Sequence, residues 1–245
     1  MSSAHTLTNT ICEIAMNHNI AIIAAGGQGS RIGSDLPKQY QLLDGKPILL
    51  YTLEAFSGIA DKIILVIDPK MAEFWKELCR EYQCMLEHEV VFGGKSRFES
   101  VRNGLHYIEQ HYNNLTSKNT AIAVHDAARP LISRDLIRQS FTLCHQGFGN
   151  VLGIKSMNSV RIGSDKSSHA IEREKVWLMQ TPQTFPADTL IQAFMQEEHE
   201  SFTDEASVVE KLGYNVVILE SNPTNIKITY QEDFAIAQAY IRKLH

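Results

Sequence analysis

The sequence predicts an α/β protein with a mostly parallel sheet flanked by helices, and three stretches carry that expectation. Ile20 to Ala25 is a short continuous apolar run, the pattern of a strand buried on both faces, and Ile63 to Ile67 is a second. Between them Ile48 to Phe56 has the apolar spacing of a helix, and the preceding Pro47 suits a first helical turn. Strand, helix and strand within roughly 45 residues imply a right-handed crossover and a parallel sheet. Ligands of such sheets bind at the carboxyl ends of the strands.

The remaining elements follow in order. Residues 1–18, rich in Ser, Thr and Asn around Ile11 to Ala15, read as a short capping helix or a loose extension without chemistry. A helix is expected over Met71 to Tyr82 and a short strand over Glu89 to Phe92, after which Gly93 and Gly94 turn into a polar helix start. Ala121 to Val124 reads as another buried strand, Arg134 to His145 as a helix and Asn150 to Ile154 as a strand. Lys155 to Arg173 alternates polar residues around Gly163-Ser164-Asp165 and reads as an extended hairpin. It is too polar to bury a face of its own, so it is marginal unless it packs on something. Thr181 to Pro186 is an extended prolyl segment, Asn215 to Leu219 and Ile226 to Thr229 look like the last strands, and a helix closes the chain over Gln231 to Leu244.

The chemistry centres on the glycine cluster that follows the first strand, Gly26-Gly27-Gln28-Gly29, with Arg31 and Lys38 just beyond. Glycine lacks a Cβ, so the backbone can approach a ligand and turn N–H groups toward phosphate oxygens while the two cations neutralise them. The P-loop pattern fails because Gly29 is followed by Ser30-Arg31. The dinucleotide fingerprint misses by one position, and Pro37 interrupts the helix it needs. A strand-end acid, Asp126, leaves the next buried strand at the same edge, where it suits a divalent cation, a sugar hydroxyl or a helix cap. Thr203 is placed to cap a helix start, a position that also favours anions. Lys227, between Ile226 and Ile228, points away from its apolar neighbours.

Composition sets limits. The chain has 245 residues, 44% hydrophobic and 21% charged, enough for one substantial α/β core over 1–245. A net charge of −5 argues against nucleic acid or an acidic membrane as partner, so any anion must be held locally. Four scattered cysteines, Cys12, Cys79, Cys84 and Cys144, show neither zinc nor disulfide spacing. With no charged secretory start and no membrane-length apolar run, a cytoplasmic location is expected.

Ala24 to Arg31 followed by Leu36-Pro37-Lys38-Gln39-Tyr40 resembles the nucleotide-binding loop of the 2-C-methyl-D-erythritol 4-phosphate cytidylyltransferases. Val124 to Pro130, Gln180 to Gln183, Thr203 to Ala206 and Asn225 to Thr229 agree with that family in the family's order. The resemblance implies a Rossmann-like fold of the nucleotide-diphospho-sugar transferase type, CTP as a substrate and Mg²⁺ as cofactor. It implies catalytic roles for Arg31, Lys38 and Lys227. Nucleotide contacts fall on Ala24, Ala25, Gly26, Gly27 and Gly29, and on the second turn at Gly93, Arg97 and Ser100, where the serine faces the base. Polyol-phosphate contacts fall on Asp126, Arg129 and Ser159, and on Arg173, Thr181 and Thr203. Asp126 also faces the metal region, whereas His125 is read as structural.

In the family the segment matching residues 155–178 is an arm that crosses into a second subunit, so a homodimer with composite sites is expected. Arg173 then grips the substrate phosphate from the partner, as an arginine fork suits phosphate in geometry and charge. The chain departs from the family at Asn158-Ser159, where Asp-Thr is usual. That change leaves D-ribitol 5-phosphate as a rival substrate, although Ala127-Ala128 and Glu205-Ala206 are of the erythritol type. A nucleotide-binding protein that has lost the reaction is the alternative of another class.

Overall fold

The structure is a computed structural model, and it describes residues 17–27 and 36–244. Gly29, Arg31, Cys12 and most of the 1–18 extension lie outside the described residues. Seven strands form one sheet. Within it β1 (His18–Ala25) is flanked in parallel by β4 (Lys62–Ile67) and β6 (Thr120–Asp126). β5 (Glu89–Phe92) adds in parallel outside β4. On the other side β10 (Trp177–Pro186) runs antiparallel to β6 and to β7 (Asn150–Lys155), and β11 (Val217–Glu220) closes that edge in parallel with β7. The order is therefore β11-β7-β10-β6-β1-β4-β5, and only β10 is reversed.

Alternation along the strands sends successive side chains to opposite faces, and both faces are buried. Ala21, Ile23 and Leu65 face α1 (Ile48–Phe56), α2 (Ala72–Glu81) and α4 (Arg134–His145). Ile20, Ile22 and Val66 face α3 (Arg97–His111), α5 (Ala187–Phe194) and α6 (Glu205–Glu210). These six strand residues are at most 0% exposed, and full burial of each large aliphatic one stabilises the fold by about 1.5–3 kcal/mol. Gly104 lets α3 lie close to the sheet, since a Cβ there would sit 3.1 Å from Val66 and 3.3 Å from Ile22. A third, smaller cluster joins α7 (Gln231–Leu244) through Ala237 and Ile241 to Leu43, Ile48 and Ile228. Leu43 belongs to the short ribbon of β2 (Leu42–Leu43) and β3 (Lys46–Pro47). No helix among the described residues is long and apolar enough to cross a membrane.

Three local expectations need correction. Ile226 to Thr229 is not a strand: Ile228 N–H makes one bond of 2.9 Å to the Ala128 carbonyl, and among the described residues no strand runs beside it to extend a ladder. Its apolar residues alternate because Ile228 is buried under α7 while Lys227 turns to the opposite side. Thr203 does not cap α6. Asp204 does, accepting from Ser207 N–H at 3.0 Å while the Ser207 hydroxyl accepts from Asp204 N–H at 3.2 Å, a reciprocal capping box. Pro47 is the residue before α1 and not its first turn.

The polar segment forms β8 (Val160–Gly163) paired antiparallel with β9 (Ser168–Ile171). From 156 to 176 no residue is buried. This hairpin stands off the sheet between β7 and β10.

Candidate active site

A cleft of about 510 Å³ opens at the carboxyl ends of β1, β4 and β6. Its first wall is the glycine turn leaving β1: Ala24, Ala25, Gly26 and Gly27 all line it. The second is the turn after β5, where Gly94, Lys95 and Ser96 lead into α3. Ser96 caps that helix, accepting from Glu99 N–H at 3.0 Å, so the helix start faces the cleft with its partial positive charge. Ser100 stands between the two turns. Its hydroxyl accepts from Gly94 N–H at 3.1 Å and donates to the Ser96 carbonyl at 2.8 Å. An added Cβ would lie 2.8 Å from that hydroxyl at Gly93 and 3.2 Å at Gly26, so both glycines make room for Ser100.

The floor is Asp126, the last residue of β6 and 7% exposed. Its Oδ2 lies 2.9 Å from Lys227 Nζ and 3.5 Å from Arg129 Nε, and its Oδ1 lies 3.4 Å from Arg97 Nε. Burial pushes this carboxyl up, but Arg97, Lys227 and Arg129 together outweigh burial and hold it well below the usual carboxylate range. Asp126 is therefore a fixed anion within a ring of three cations. Arg97 is fixed in turn: its Nη1 and Nη2 donate to the two oxygens of Glu205 at 2.5 and 3.0 Å. Burial acts to lower the Arg97 pKa, yet Glu205 and Asp126 outweigh it and hold the guanidinium above its ordinary value. Glu205, wholly buried in the first turn of α6, is pushed up by burial against the pull of Arg97.

Beneath the floor lies a second polar layer. The Thr181 hydroxyl accepts from Asp126 N–H at 3.0 Å and sits 3.0 Å from His125 Nδ1. His125 Nε2 lies 3.1 Å from the Arg129 carbonyl. A carbonyl only accepts, so Nε2 carries the ring proton and Nδ1 accepts from Thr181. Complete burial lowers the His125 pKa to about 4 and keeps the ring neutral. Arg129 Nη1 donates to the Asn225 carbonyl at 2.9 Å, and Asn225 Nδ2 donates to Gln180 Oε1 and the Thr181 carbonyl.

The fold thus brings together at one cleft Ala24, Ala25, Gly26, Gly27, Lys38 and Lys227, with Arg97, Ser100 and Asp126. Gly93, Arg129 and Thr181 lie behind the lining, with the Thr181 hydroxyl engaged inside the chain. Thr203 lines a separate small depression shared with Arg97 and Glu205. Ser159 and Arg173 stand exposed on the hairpin segment, where Arg173 meets Glu174 at 3.2 Å and none of the cleft residues. Sequence reading left Gln39, Asp68, Lys95 and Glu205 without roles. Gln39 and Glu205 sit inside recognised motifs, but their partners lie 14 and 108 residues away in the chain, beyond any periodic signal.

Among the described residues four cations, Lys38, Lys95, Arg97 and Lys227, line the cleft against two acids, Asp68 and Asp126. In a chain of net charge −5 this is the local anion site that composition demanded. A glycine turn, a helix start and a cationic rim at the carboxyl edge of a parallel sheet define a nucleotide-dependent transferase fold. The profile of the family described as IspD, 2-C-methyl-D-erythritol 4-phosphate cytidylyltransferase, matches residues 19–243, and the chain belongs to that family. The 2-C-methyl-D-erythritol 4-phosphate cytidylyltransferase of Bacteroides thetaiotaomicron is 40% identical over 222 residues, spanning 90% of this chain and 98% of its own. Among solved structures, the protein of that name from Francisella tularensis superposes with a TM-score of 0.71 at 31% identity, over 91% of this chain and 99% of the other. The 4-diphosphocytidyl-2C-methyl-D-erythritol synthase of Anaerococcus prevotii gives 0.77 at 25% identity, over 92% and 96%.

Proposed function

We propose that the cleft joins CTP to 2-C-methyl-D-erythritol 4-phosphate, releasing pyrophosphate and 4-diphosphocytidyl-2-C-methyl-D-erythritol, a step of non-mevalonate isoprenoid precursor synthesis. The observation that carries this reading is the cationic excess around a glycine turn at the carboxyl edge of the sheet. An oxygen of the polyol phosphate attacks the α-phosphorus in line, and the bond to the β-phosphate bridging oxygen breaks. The nucleophile is a phosphate monoester with a second pKa near ~6, largely dianionic at neutral pH, so no general base is required. His125, buried and neutral, takes no part in proton transfer.

What the protein supplies is orientation and charge neutralisation. Lys38 and Lys227 line the cleft and are assigned to the phosphates, with Arg31 carrying the same role from sequence. Arg97 spends both terminal nitrogens on Glu205, so its part is to hold Asp126 and shape the nucleotide wall. Among the described residues no three His, Cys, Asp or Glu side chains gather as a metal cage. Mg²⁺ keeps water and binds one or two carboxylates together with substrate phosphates. Asp126, the carboxylate at the cleft floor, would hold it, and the ion would supply charge neutralisation at the phosphates.

Ser159 and Arg173 reach no part of this cleft within the subunit, and a polar hairpin with no buried residue needs another surface. The arm is therefore assigned to a two-fold homodimer in which it completes the partner's polyol-phosphate site. The direct test is pyrophosphate release by the purified protein with Mg²⁺ and CTP. Preference for 2-C-methyl-D-erythritol 4-phosphate over D-ribitol 5-phosphate is expected. Preference for ribitol would make Asn158 a specificity change, and CTP binding with neither polyol turned over would overturn the enzymatic reading.

A further inference from the structure

Lys38, Gln39 and Tyr40 form a single turn of 3₁₀ helix. Such a turn has three residues, so its side chains leave in three directions. Tyr40 points into the core, 1% exposed, with its ring 5.8 Å from Phe74 edge-on and 6.4 Å from Trp75. Lys38 faces the cleft. Gln39, 3% exposed, reaches back to the end of β1, where Nε2 donates to the Ala25 carbonyl at 2.6 Å and to the Gly27 carbonyl at 3.1 Å. An amide nitrogen has two hydrogens, and both are used. The amide cannot be reversed, because its oxygen would then face two acceptors.

The two carbonyls belong to the backbone that forms the glycine wall of the cleft. A carbonyl oxygen aimed at a triphosphate repels it, whereas an N–H attracts it. Gln39 itself lines the cleft, and its two amide hydrogens occupy the Ala25 and Gly27 carbonyl oxygens there. Gly26 and Gly27 have no side chains that could fix the loop, so its orientation must be imposed from elsewhere. The geometry points to Gln39 as the positioning residue of this site: its amide engages the loop carbonyls, so that they are not presented bare to the phosphates, and ties the glycine wall to the turn that carries Lys38. This rests on the cytidylyltransferase reading and gives the nucleotide half of it a specific anchor.

The test uses the full-length protein with Gln39→Glu, which keeps the shape but sets a carboxylate against both carbonyls, and Gln39→Met, which keeps the length and removes both donors. CTP affinity is measured by calorimetry, Michaelis constants for CTP and for the polyol phosphate by pyrophosphate release, and folding by thermal denaturation. CTP binding is expected to weaken about ten- to hundredfold in both variants, the scale of a site displaced by an ångström, while the Michaelis constant for the polyol phosphate stays within about twofold. Folded variants that bind CTP like the wild type overturn the proposal. So do variants that melt early but bind CTP normally in their folded fraction, since Gln39 would then serve stability alone. A wild type that binds no CTP removes the nucleotide reading itself, and that result is visible before any variant is made.

Discussion

The floor of the cleft and the hairpin of 160–171 are opposite ways of building with polar residues. At the floor Asp126, Arg97, Glu205, Arg129, Thr181 and His125 are each bound to at least one other member of the same network. On the hairpin Arg161 bonds Ser168 through Nε and Nη2, both at 2.8 Å, and every residue from 161 to 170 is exposed. The floor is complete within one chain and is preorganised for charge. The hairpin is held by its own ladder and little else, which suits a part whose proper surroundings are on another molecule.

The variants that separate the two regions differ in size of effect. Lys38→Ala is expected to lower turnover by about two to three orders of magnitude, the loss typical of one preorganised charge contact. Near-normal turnover in that variant would break the assignment of the cleft as the reaction centre.

Next comes the acid response of the layer beneath the floor. His125 takes a proton near its ordinary 6.5 when unfolded and only near about 4 when folded, because burial penalises the charged ring. Between those values the unfolded state binds more protons, so stability present above 6.5 is lost as pH falls toward 4, about 3 kcal/mol in all. Urea denaturation of wild type and His125→Gln at pH 7 and pH 4.5 reads this. The gap between them should narrow as pH falls, and a constant gap would show that the imidazole is not the acid-sensitive group.

Arg173→Ala should raise the Michaelis constant for the polyol phosphate about ten- to hundredfold, the worth of a charge-assisted contact, with CTP saturation unchanged. Weaker CTP saturation instead would place the arm at the nucleotide. Smallest is Arg161→Ala, which removes both bonds to Ser168 on the exposed hairpin and should change stability to denaturant by less than about 0.5 kcal/mol. A larger loss would mean that the hairpin is tied into the body more firmly than its exposure indicates.

The fold was legible where one local pattern decides an element. Continuous apolar runs mark β1, β4 and β6, and helical spacing gives α1, α4 and α7 with the same bounds as observed. Legibility failed where a partner decides. Ile226 to Thr229 alternates like a strand, but alternation also arises when one residue is buried under a helix and its neighbour turns to a ligand edge. Thr203 and Asp204 can both cap a helix, and the answering Ser207 hydroxyl goes to Asp204. At the site the glycine turn, Lys38, Asp126 and Lys227 were read from residue type and motif order. Glu205 and Gln39 were not, because a buried carboxylate and a stapling amide acquire meaning only from Arg97 and from the Ala25 and Gly27 carbonyls that the fold delivers to them.

The contrast between a self-contained floor and an outward arm is tested most directly by mixing two impaired variants, Lys38→Ala and Arg173→Ala, under conditions that allow subunits to exchange. If each site takes Lys38 from one chain and Arg173 from the other, random exchange leaves about a quarter of all sites with both residues intact. Activity should then rise, on mixing, toward about a quarter of the wild-type value, well above either variant alone. Activity that remains the average of the two variants would contradict the account, because both residues would then serve the cleft of their own chain.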